Sequence, residues 1–169
     1  MQIFLTQWAA MLFLPLALLV SAWVMWSDMA RMKIPNKAVM VLLIGFAVLG
    51  FFALDLSTYL WRWSHFALIL VLGFLMNAAR MLGAGDAKFA AAIAPFVAVQ
   101  DTFLVLTIFA AMIVVGFTTH RILRRIKPLR ELVPDWESWS RRDYPMGLSI
   151  CLTFLIGRAS CRERVYGTV

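Results

Sequence analysis

Two aspartates are the residues best suited to chemistry in this chain. Asp28 lies in the segment WSDMARMKIPNK and Asp86 in the segment LGAGDAK, each beside a long apolar run that is otherwise free of charge. An ionisable residue at membrane depth is costly, and by default it marks a functional site. The surroundings of both aspartates are therefore candidate site segments.

Two carboxyl groups held close together can perform general acid and base catalysis. Neither ionises easily while the other is charged, so the pair shares one proton. The ionised member can take a proton from water while the protonated member polarises a substrate carbonyl, and an amide is hydrolysed without a metal, a cofactor or a covalent intermediate. The residues alone leave open the alternative that Asp28 is a helix-end charge and Asp86 an ordinary helix N-cap.

Small residues and one lysine accompany Asp86. Gly83 and Gly85 permit a tight turn and leave room for an extended peptide to approach. Lys88, two residues further on, is expected either to favour the ionised form of Asp86 or to extend toward the membrane interface.

The segment after Asp28 contains Ile34, Pro35 and Asn36 in sequence. Proline fixes one backbone dihedral and removes a hydrogen-bond donor, and Asn36 is expected to cap the second helix or to bond to a turn. The segment is therefore expected to support the placement of Asp28.

Apolar helices must position these residues. The chain has 169 residues, 63% of them hydrophobic and 15% charged, whereas soluble domains carry about a quarter charged residues. The predicted fold is an all-α, polytopic membrane helix bundle of about six transmembrane helices, with the fourth short or re-entrant and the last cut short. The charge-free windows are 8–26, 38–54, 63–79, 89–100 and 102–119, and a final one opens near residue 144.

The basic residues predict the orientation. Twelve of them lie in alternate connections between the predicted helices, against only Arg62 on the other side, so the N-terminus is predicted outside and both aspartates at the cytoplasmic face. Because the charges of this +7 chain are spread over short juxtamembrane loops, anionic lipid headgroups are expected as their partners and nucleic acid is not. The twelve are Arg31, Lys33, Lys37, Arg80, Lys88, Arg121, Arg124, Arg125, Lys127, Arg130, Arg141 and Arg142.

The last fourteen residues are predicted to be foreign to the protein. Residues 156–169 read IGRASCRERVYGTV, and three arginines and a glutamate interrupt the final apolar run too early to complete a crossing. The stretch resembles the in-frame translation of a common sequencing adapter. The predicted division is thus a membrane-embedded domain over 1–155 and a non-native tail over 156–169. Cys151 and Cys161 form no CxxC pair, so neither a zinc site nor a disulfide framework is predicted.

Three other features of the sequence are expected to have lesser roles. His65 is expected to be structural, and Asn77 is expected to bond between helices. The polar segment 120–143 is expected to form an interfacial amphipathic helix broken at Pro128.

Taken together, the motifs resemble those of the type IV prepilin peptidases, the GxGD membrane aspartyl proteases of peptidase family A24. The matching residues are DMARMKIPN at 28–36 and GAGDAK at 83–88, with YPMG at 144–147 a weaker match because Met146 stands where an aromatic residue is expected. The resemblance implies that Asp28 and Asp86 are catalytic, with Ile34, Pro35, Asn36, Gly83, Gly85 and Lys88 as motif support, and that no metal is needed.

The resemblance also implies a substrate and a location. Such enzymes cut the leader from prepilin-like precursors at the cytoplasmic face of the bacterial inner membrane, and a pilus assembly machinery is a possible further partner. Only a short connection separates the first two apolar runs, as in the short CpaA/TadV type associated with Flp or Tad pili. The expectation is therefore an aspartic endopeptidase without N-methyltransferase activity.

Three alternatives remain open from the sequence. An ion-coupled transporter would use its acidic residues to carry protons or cations, a noncatalytic subunit of a pilus or secretion apparatus would not need the carboxyl groups, and a presenilin-type protease also uses GxGD. The last is ranked below prepilin processing because its first aspartate lies within a helix and the IPN segment has no counterpart there.

Overall fold

Helices account for nearly all regular structure in the chain. The computed structural model describes the backbone of residues 7–141 and 143–166, and the side chains of these residues except 7, 8, 129 and 158–166. Seven α-helices and three short 3₁₀ turns, at 94–96, 99–101 and 137–139, make up the described part, which contains no strand, so the prediction of an all-α bundle is confirmed. The helices are α1 (Gln7–Arg31), α2 (Asn36–Ala53), α3 (Leu56–Ala78), α4 (Ala84–Ile93), α5 (Thr102–Leu123), α6 (Lys127–Leu132) and α7 (Met146–Tyr166).

Four helices are long and apolar enough to cross a membrane. They provide the spans Ala9–Arg31, Asn36–Ala53, Leu56–Ala78 and Val99–Leu123, while the apolar part of α7 is shorter, Met146–Gly157. With the apolar faces of these helices left exposed, the chain is a membrane protein. The ten residues of α4 cover roughly 15 Å, about half of a bilayer core, so α4 is a half-length helix as the sequence indicates.

The helices pack in an open arc. Along it α5 packs on α7, α7 on α1, α1 on α2, α2 on α4 and α4 on α3. The short helix α4 also contacts α7, while α3 and α5 at the two ends of the arc make no extensive contact. Between these ends lies an apolar groove of about 790 Å³, floored by Ile93 of α4 and Ile150 of α7. The packed core lies on the inner side of the arc, where the ring of Phe96 contacts Phe13, Phe46 and Phe154 at centroid distances of 5.1, 5.2 and 5.6 Å.

The far end of α4 is stabilised by a buried arginine. Arg62 is only 3% exposed and donates from Nη1 to the carbonyl oxygen of Pro95 at 3.2 Å, in the 3₁₀ turn that continues α4. His65, one turn further along α3, lies beside the backbone of Ala94 and Val97 in the same turn. Carbonyl groups that end a helix inside a membrane need donors from the protein, and a cation suits the negative end of the helix dipole.

The placement of Arg62 corrects a prediction. The charge-free window suggested that α3 begins at Trp63 and leaves Arg62 in an outer loop, whereas α3 begins at Leu56 and includes it. The true start is set by Asp55, whose Oδ2 accepts from the backbone N–H of Thr58 at 2.9 Å and from the hydroxyl of Ser57 at 2.6 Å. These bonds hold the pKa of the exposed Asp55 carboxyl down at about 2.

Two proline segments also differ from expectation. The N-cap of α2 is Pro35, with no side-chain cap bond, and Asn36 is the first residue of the helix, so the prediction that Asn36 caps α2 is wrong. Pro128 lies in the first turn of α6 rather than breaking a longer helix, because proline is tolerated where the backbone N–H has no helical partner. The segment 120–143 thus forms the end of α5, the six-residue α6 and one 3₁₀ turn.

Candidate active site

Asp28 lies in the last turn of α1 and is almost completely buried. Only 5% of its surface is exposed, and its carbonyl oxygen accepts from the backbone N–H of Met32 at 2.9 Å, where a positive φ of 51° ends the helix. The hydroxyl of Ser27 donates to the carbonyl oxygen of Lys33 at 2.9 Å and fixes the chain that leads into the IPN segment. These two hydrogen bonds therefore fix the backbone around Asp28 at the end of α1.

The carboxyl group of Asp28 reaches the start of α7. Its Oδ2 accepts a buried hydrogen bond of 2.8 Å from the backbone N–H of Gly147, 119 positions away in the sequence. Gly147 lies in the first turn of α7, which follows the buried Pro145 and begins at the half-buried Met146. A β-carbon at residue 147 would stand 2.7 Å from that same oxygen, so only glycine leaves room for this contact.

Asp86 lies in the first turn of α4, one turn after the N-cap residue Gly83. The turn before it is closed by Asn77, which donates from Nδ2 to the carbonyl oxygen of Leu82 at 2.8 Å, and by Arg80 with a positive φ of 59°. A β-carbon at residue 83 would stand 2.6 Å from Oδ2 of Asp86. The carboxyl group therefore folds back over Gly83.

Ile34 joins the three segments that carry the site. A β-carbon at Gly85 would lie 3.6 Å from Cβ of Ile34, and one at Gly147 would lie 3.2 Å from its Cδ1. The Ile34 side chain is thus wedged between the first turns of α4 and α7. It sets the spacing between the helix starts that present the two aspartates.

The electrostatics link the two carboxyl groups. The pKa of Asp86 is raised from 3.8 to about 6, first by burial and second by the negative charge of Asp28. The negative charge of Asp28 thus disfavours ionisation of Asp86. The fold therefore brings the aspartates, which the sequence separates by 58 positions, into one part of the molecule around Ile34.

The remaining residues of the predicted site have different surroundings. Pro35 is half-buried and starts α2, whereas Asn36 and Lys88 are exposed. Burial and Asp28 are the causes of the raised pKa of Asp86, and Lys88 is not among them. Lys88 therefore does not favour the ionised form of Asp86, contrary to the first of the two roles expected for it.

An aromatic cluster next to Asp28 was not anticipated from the sequence. The ring of His120 stacks on Trp139 at 5.5 Å and meets Tyr144 edge-on at 5.9 Å, and Trp136 joins Trp139 to Trp26 of α1. Trp139 is buried and donates to the carbonyl oxygen of Val133 at 3.0 Å, so it is a packing residue and not an interfacial one.

Tyr144 links this cluster to α7 and α5. Its hydroxyl lies 2.7 Å from that of Ser149, which donates to the carbonyl oxygen of Met112 at 2.9 Å, and burial raises the pKa of the Tyr144 phenol. The order of tyrosine, proline and glycine at 144–147 is the only sequence signal that points to this part of the site.

The model of the type IV leader peptidase family matches residues 6–119, more than half of the chain. The chain belongs to the type IV leader peptidase family. The family match includes Asp28, the IPN segment and the GAGD turn, whereas Gly147 lies beyond its end and is joined to them only by the fold. No curated protein and no solved structure matches the chain significantly.

Proposed function

We propose that this leader peptidase is an aspartic endopeptidase that removes the leader from prepilin-like precursors. The observation that carries the proposal is that Ile34 packs against both helix starts of the site, where Asp28 is buried and its negative charge contributes to the raised pKa of Asp86. One ionised and one protonated carboxyl are the groups that acid and base hydrolysis of a peptide bond needs. The proposal includes no N-methyltransferase activity, in line with the four-residue connection between α1 and α2.

The proposed location is the cytoplasmic face of a bacterial inner membrane. Exposed basic side chains accompany the aspartates at the α1–α2 connection, at the α3–α4 connection and at the end of α5. Because Arg62 belongs to α3, the two connections at the other face contribute no basic residue among those described, which strengthens the positive-inside bias. The N-terminus would then lie outside. Anionic lipid headgroups are the proposed partners of the basic residues, and a pilus assembly machinery is a further proposed partner.

The test is cleavage of a precursor by the purified protein in lipid vesicles. Wild type and the single variants Asp28→Asn and Asp86→Asn are incubated with a pilin precursor of the Flp type, and mass spectrometry reads the new N-terminus. We expect cleavage by wild type and a loss of at least about 100-fold in each variant, since a positioned acid or base contributes typically that much or more. A new N-terminus without an added methyl group is expected.

A matched aspartate serves as the control. Asp55→Asn changes the same side chain at the opposite end of α3, where asparagine caps a helix about as well as aspartate. This variant should cleave like wild type. Unimpaired cleavage by both Asp28→Asn and Asp86→Asn would rule out the aspartic mechanism and favour a noncatalytic or transport role.

A further inference from the structure

The two aspartates have unequal surroundings. Asp28 is buried and accepts a 2.8 Å hydrogen bond from the backbone N–H of Gly147. Asp86 is partly exposed, and its carboxyl group accepts no hydrogen bond from any residue that the structure describes. The carboxyl group of each lies at the first turn of a helix, α7 for Asp28 and α4 for Asp86, and Asp28 itself lies in the last turn of α1. The hydrogen bond from Gly147 is the contact that only Asp28 receives.

This difference favours one location for a shared proton. A hydrogen bond from an N–H group to a carboxylate oxygen stabilises the charged form of the acid that accepts it. Asp86 lacks such a donor among the described residues. When the pair holds a single proton, the hydrogen bond from Gly147 favours the arrangement in which Asp28 is ionised and Asp86 is protonated.

We propose that Asp28 is the catalytic base and Asp86 the catalytic acid, and that Gly147 is the positioning residue whose backbone N–H fixes this division of roles. The inference rests on the proposed peptidase function and deepens it. Gly147 acts through Asp28, because its N–H is occupied by that carboxylate and is not directed at a substrate.

The division of roles gives a balanced reaction. Asp28 takes a proton from water as the water oxygen bonds to the peptide carbonyl carbon, and Asp86 gives its proton to the carbonyl oxygen, which forms a gem-diol. In the second step the proton on Asp28 passes to the leaving nitrogen, the C–N bond breaks, and one diol hydroxyl returns a proton to Asp86. The products are a carboxylic acid and an amine, and both aspartates regain their starting states.

Glycine at residue 147 is required by space as well as by hydrogen bonding. A β-carbon there would lie 2.7 Å from Oδ2 and 3.1 Å from Cγ of Asp28, and 3.2 Å from Cδ1 of Ile34. Since Asp28 is buried, it has no solvent-filled space into which it can withdraw. Gly147→Ala therefore displaces the base by a fraction of an ångström or more while keeping the peptide N–H.

The first experiment separates positioning from folding. Wild type, Gly147→Ala and the control Leu148→Ala, which alters the next residue of α7, are compared in nanodiscs with the precursor peptide. We expect kcat of Gly147→Ala to fall about 100-fold, the cost of a displacement near 1 Å, while KM and the thermal midpoint stay close to those of Leu148→Ala. Wild-type kcat in a folded Gly147→Ala would overturn the proposal.

The second experiment tests the roles and does not depend on Gly147→Ala folding. Asparagine at residue 86 keeps an N–H donor that can polarise a substrate carbonyl, whereas asparagine at residue 28 has no basic oxygen to accept a proton from water. Residual kcat of Asp86→Asn should therefore exceed that of Asp28→Asn by about 10-fold or more, within the range that acid–base catalysis provides. Equal residual rates, or the reverse order, would overturn the assignment. Absence of cleavage by wild type would instead overturn the proposed function.

Discussion

Gly83 and Asp86 share one small volume: a β-carbon on residue 83 would stand 2.6 Å from Oδ2 of Asp86. The same relationship holds between Gly147 and Asp28, at 2.7 Å. Each candidate catalytic carboxyl group thus occupies the space that a glycine leaves empty at the first turn of a helix. Because these glycines have no side chain, they leave room for the two carboxyl groups. Substitution by alanine can therefore distinguish the glycines that the site requires from those that it does not.

The two glycines of the GAGD turn should differ in their tolerance of alanine. At Gly85 a β-carbon would meet only Ile34, at 3.6 Å, which is ordinary van der Waals contact. Gly83→Ala should therefore lower kcat by about 100-fold through displacement of Asp86, and Gly85→Ala should lower it much less. Steady-state cleavage of the precursor by both variants measures the difference, and equal losses would contradict the displacement mechanism.

Asparagine at residue 86 should stabilise the fold at neutral pH. The pKa of Asp86 in the folded protein, about 6, lies above the unfolded value of 3.8, so the stability that comes from its protonation is complete below pH 3.8 and is lost as the pH rises through 6. Asp86→Asn avoids that loss, which amounts to at most about 3 kcal/mol for a shift of this size in a partly exposed group.

Thermal midpoints measured between pH 4 and pH 7.5 test this expectation. Asp86→Asn and wild type should unfold together near pH 4, and the variant should unfold at the higher temperature above pH 6. Asp55→Asn is the control. Because the pKa of Asp55 is lowered to about 2, its stabilisation is fully present above pH 3.8, so the difference between Asp55→Asn and wild type should stay constant between pH 4 and pH 7.5. A constant difference between Asp86→Asn and wild type over the same range would show that Asp86 does not titrate as described.

Asn77 should contribute to the rate without contacting the aspartates. Its Nδ2 bond to the carbonyl oxygen of Leu82 closes the turn that leads to Gly83 and Asp86. Asn77→Ala removes this half-buried bond, at a cost of about 1 kcal/mol, and should lower kcat several-fold while KM stays near the wild-type value. Met76→Ala, at an exposed neighbouring position, provides the comparison. A rise in KM alone would indicate that Asn77 contacts the substrate instead.

Arg62 should support the activity from the other end of α4. Its Nη1 bonds to the carbonyl oxygen of Pro95, and leaving a buried polar group without a partner costs about 1–3 kcal/mol. Arg62→Leu should therefore lower the thermal midpoint and loosen the helix that presents Asp86. Arg62→Lys, which keeps a charged donor, should recover part of the loss. Equal stability of wild type and Arg62→Leu in nanodiscs would show that the bond is dispensable.

The fold was largely predictable because its main signal, the succession of apolar and charged segments, can be read directly along the sequence. Runs of apolar residues indicated the all-α bundle, and the short charge-free run after Lys88 indicated a half-length helix. What failed was the rule that charge marks a loop: Arg62 lies inside α3 because a partner from another segment satisfies its side chain. The cap of α2 was also misassigned, because proline set the helix start where asparagine was expected.

The candidate site was predictable only in part. The motif around each aspartate was visible, since each is local, and their pairing was inferred from the shared membrane face. The bond from Gly147 to Asp28 joins residues 119 positions apart, and no local pattern encodes it. Similarly, the stacking of His120 on Trp139 depends on how the connection after α5 folds back over α1, which no periodicity in its mixed sequence reveals.

The open arc of helices has a mechanical consequence. Because α3 packs on α4 and α5 on α7, with an apolar groove instead of a shared contact between them, the distance between α3 and α5 is not fixed by protein packing. In a membrane we expect the acyl chains of the bilayer to occupy that gap. We therefore expect the spacing of α3 and α5 to respond to the thickness and composition of the surrounding bilayer, whereas α4 and α7, which contact each other and Ile34, keep their spacing.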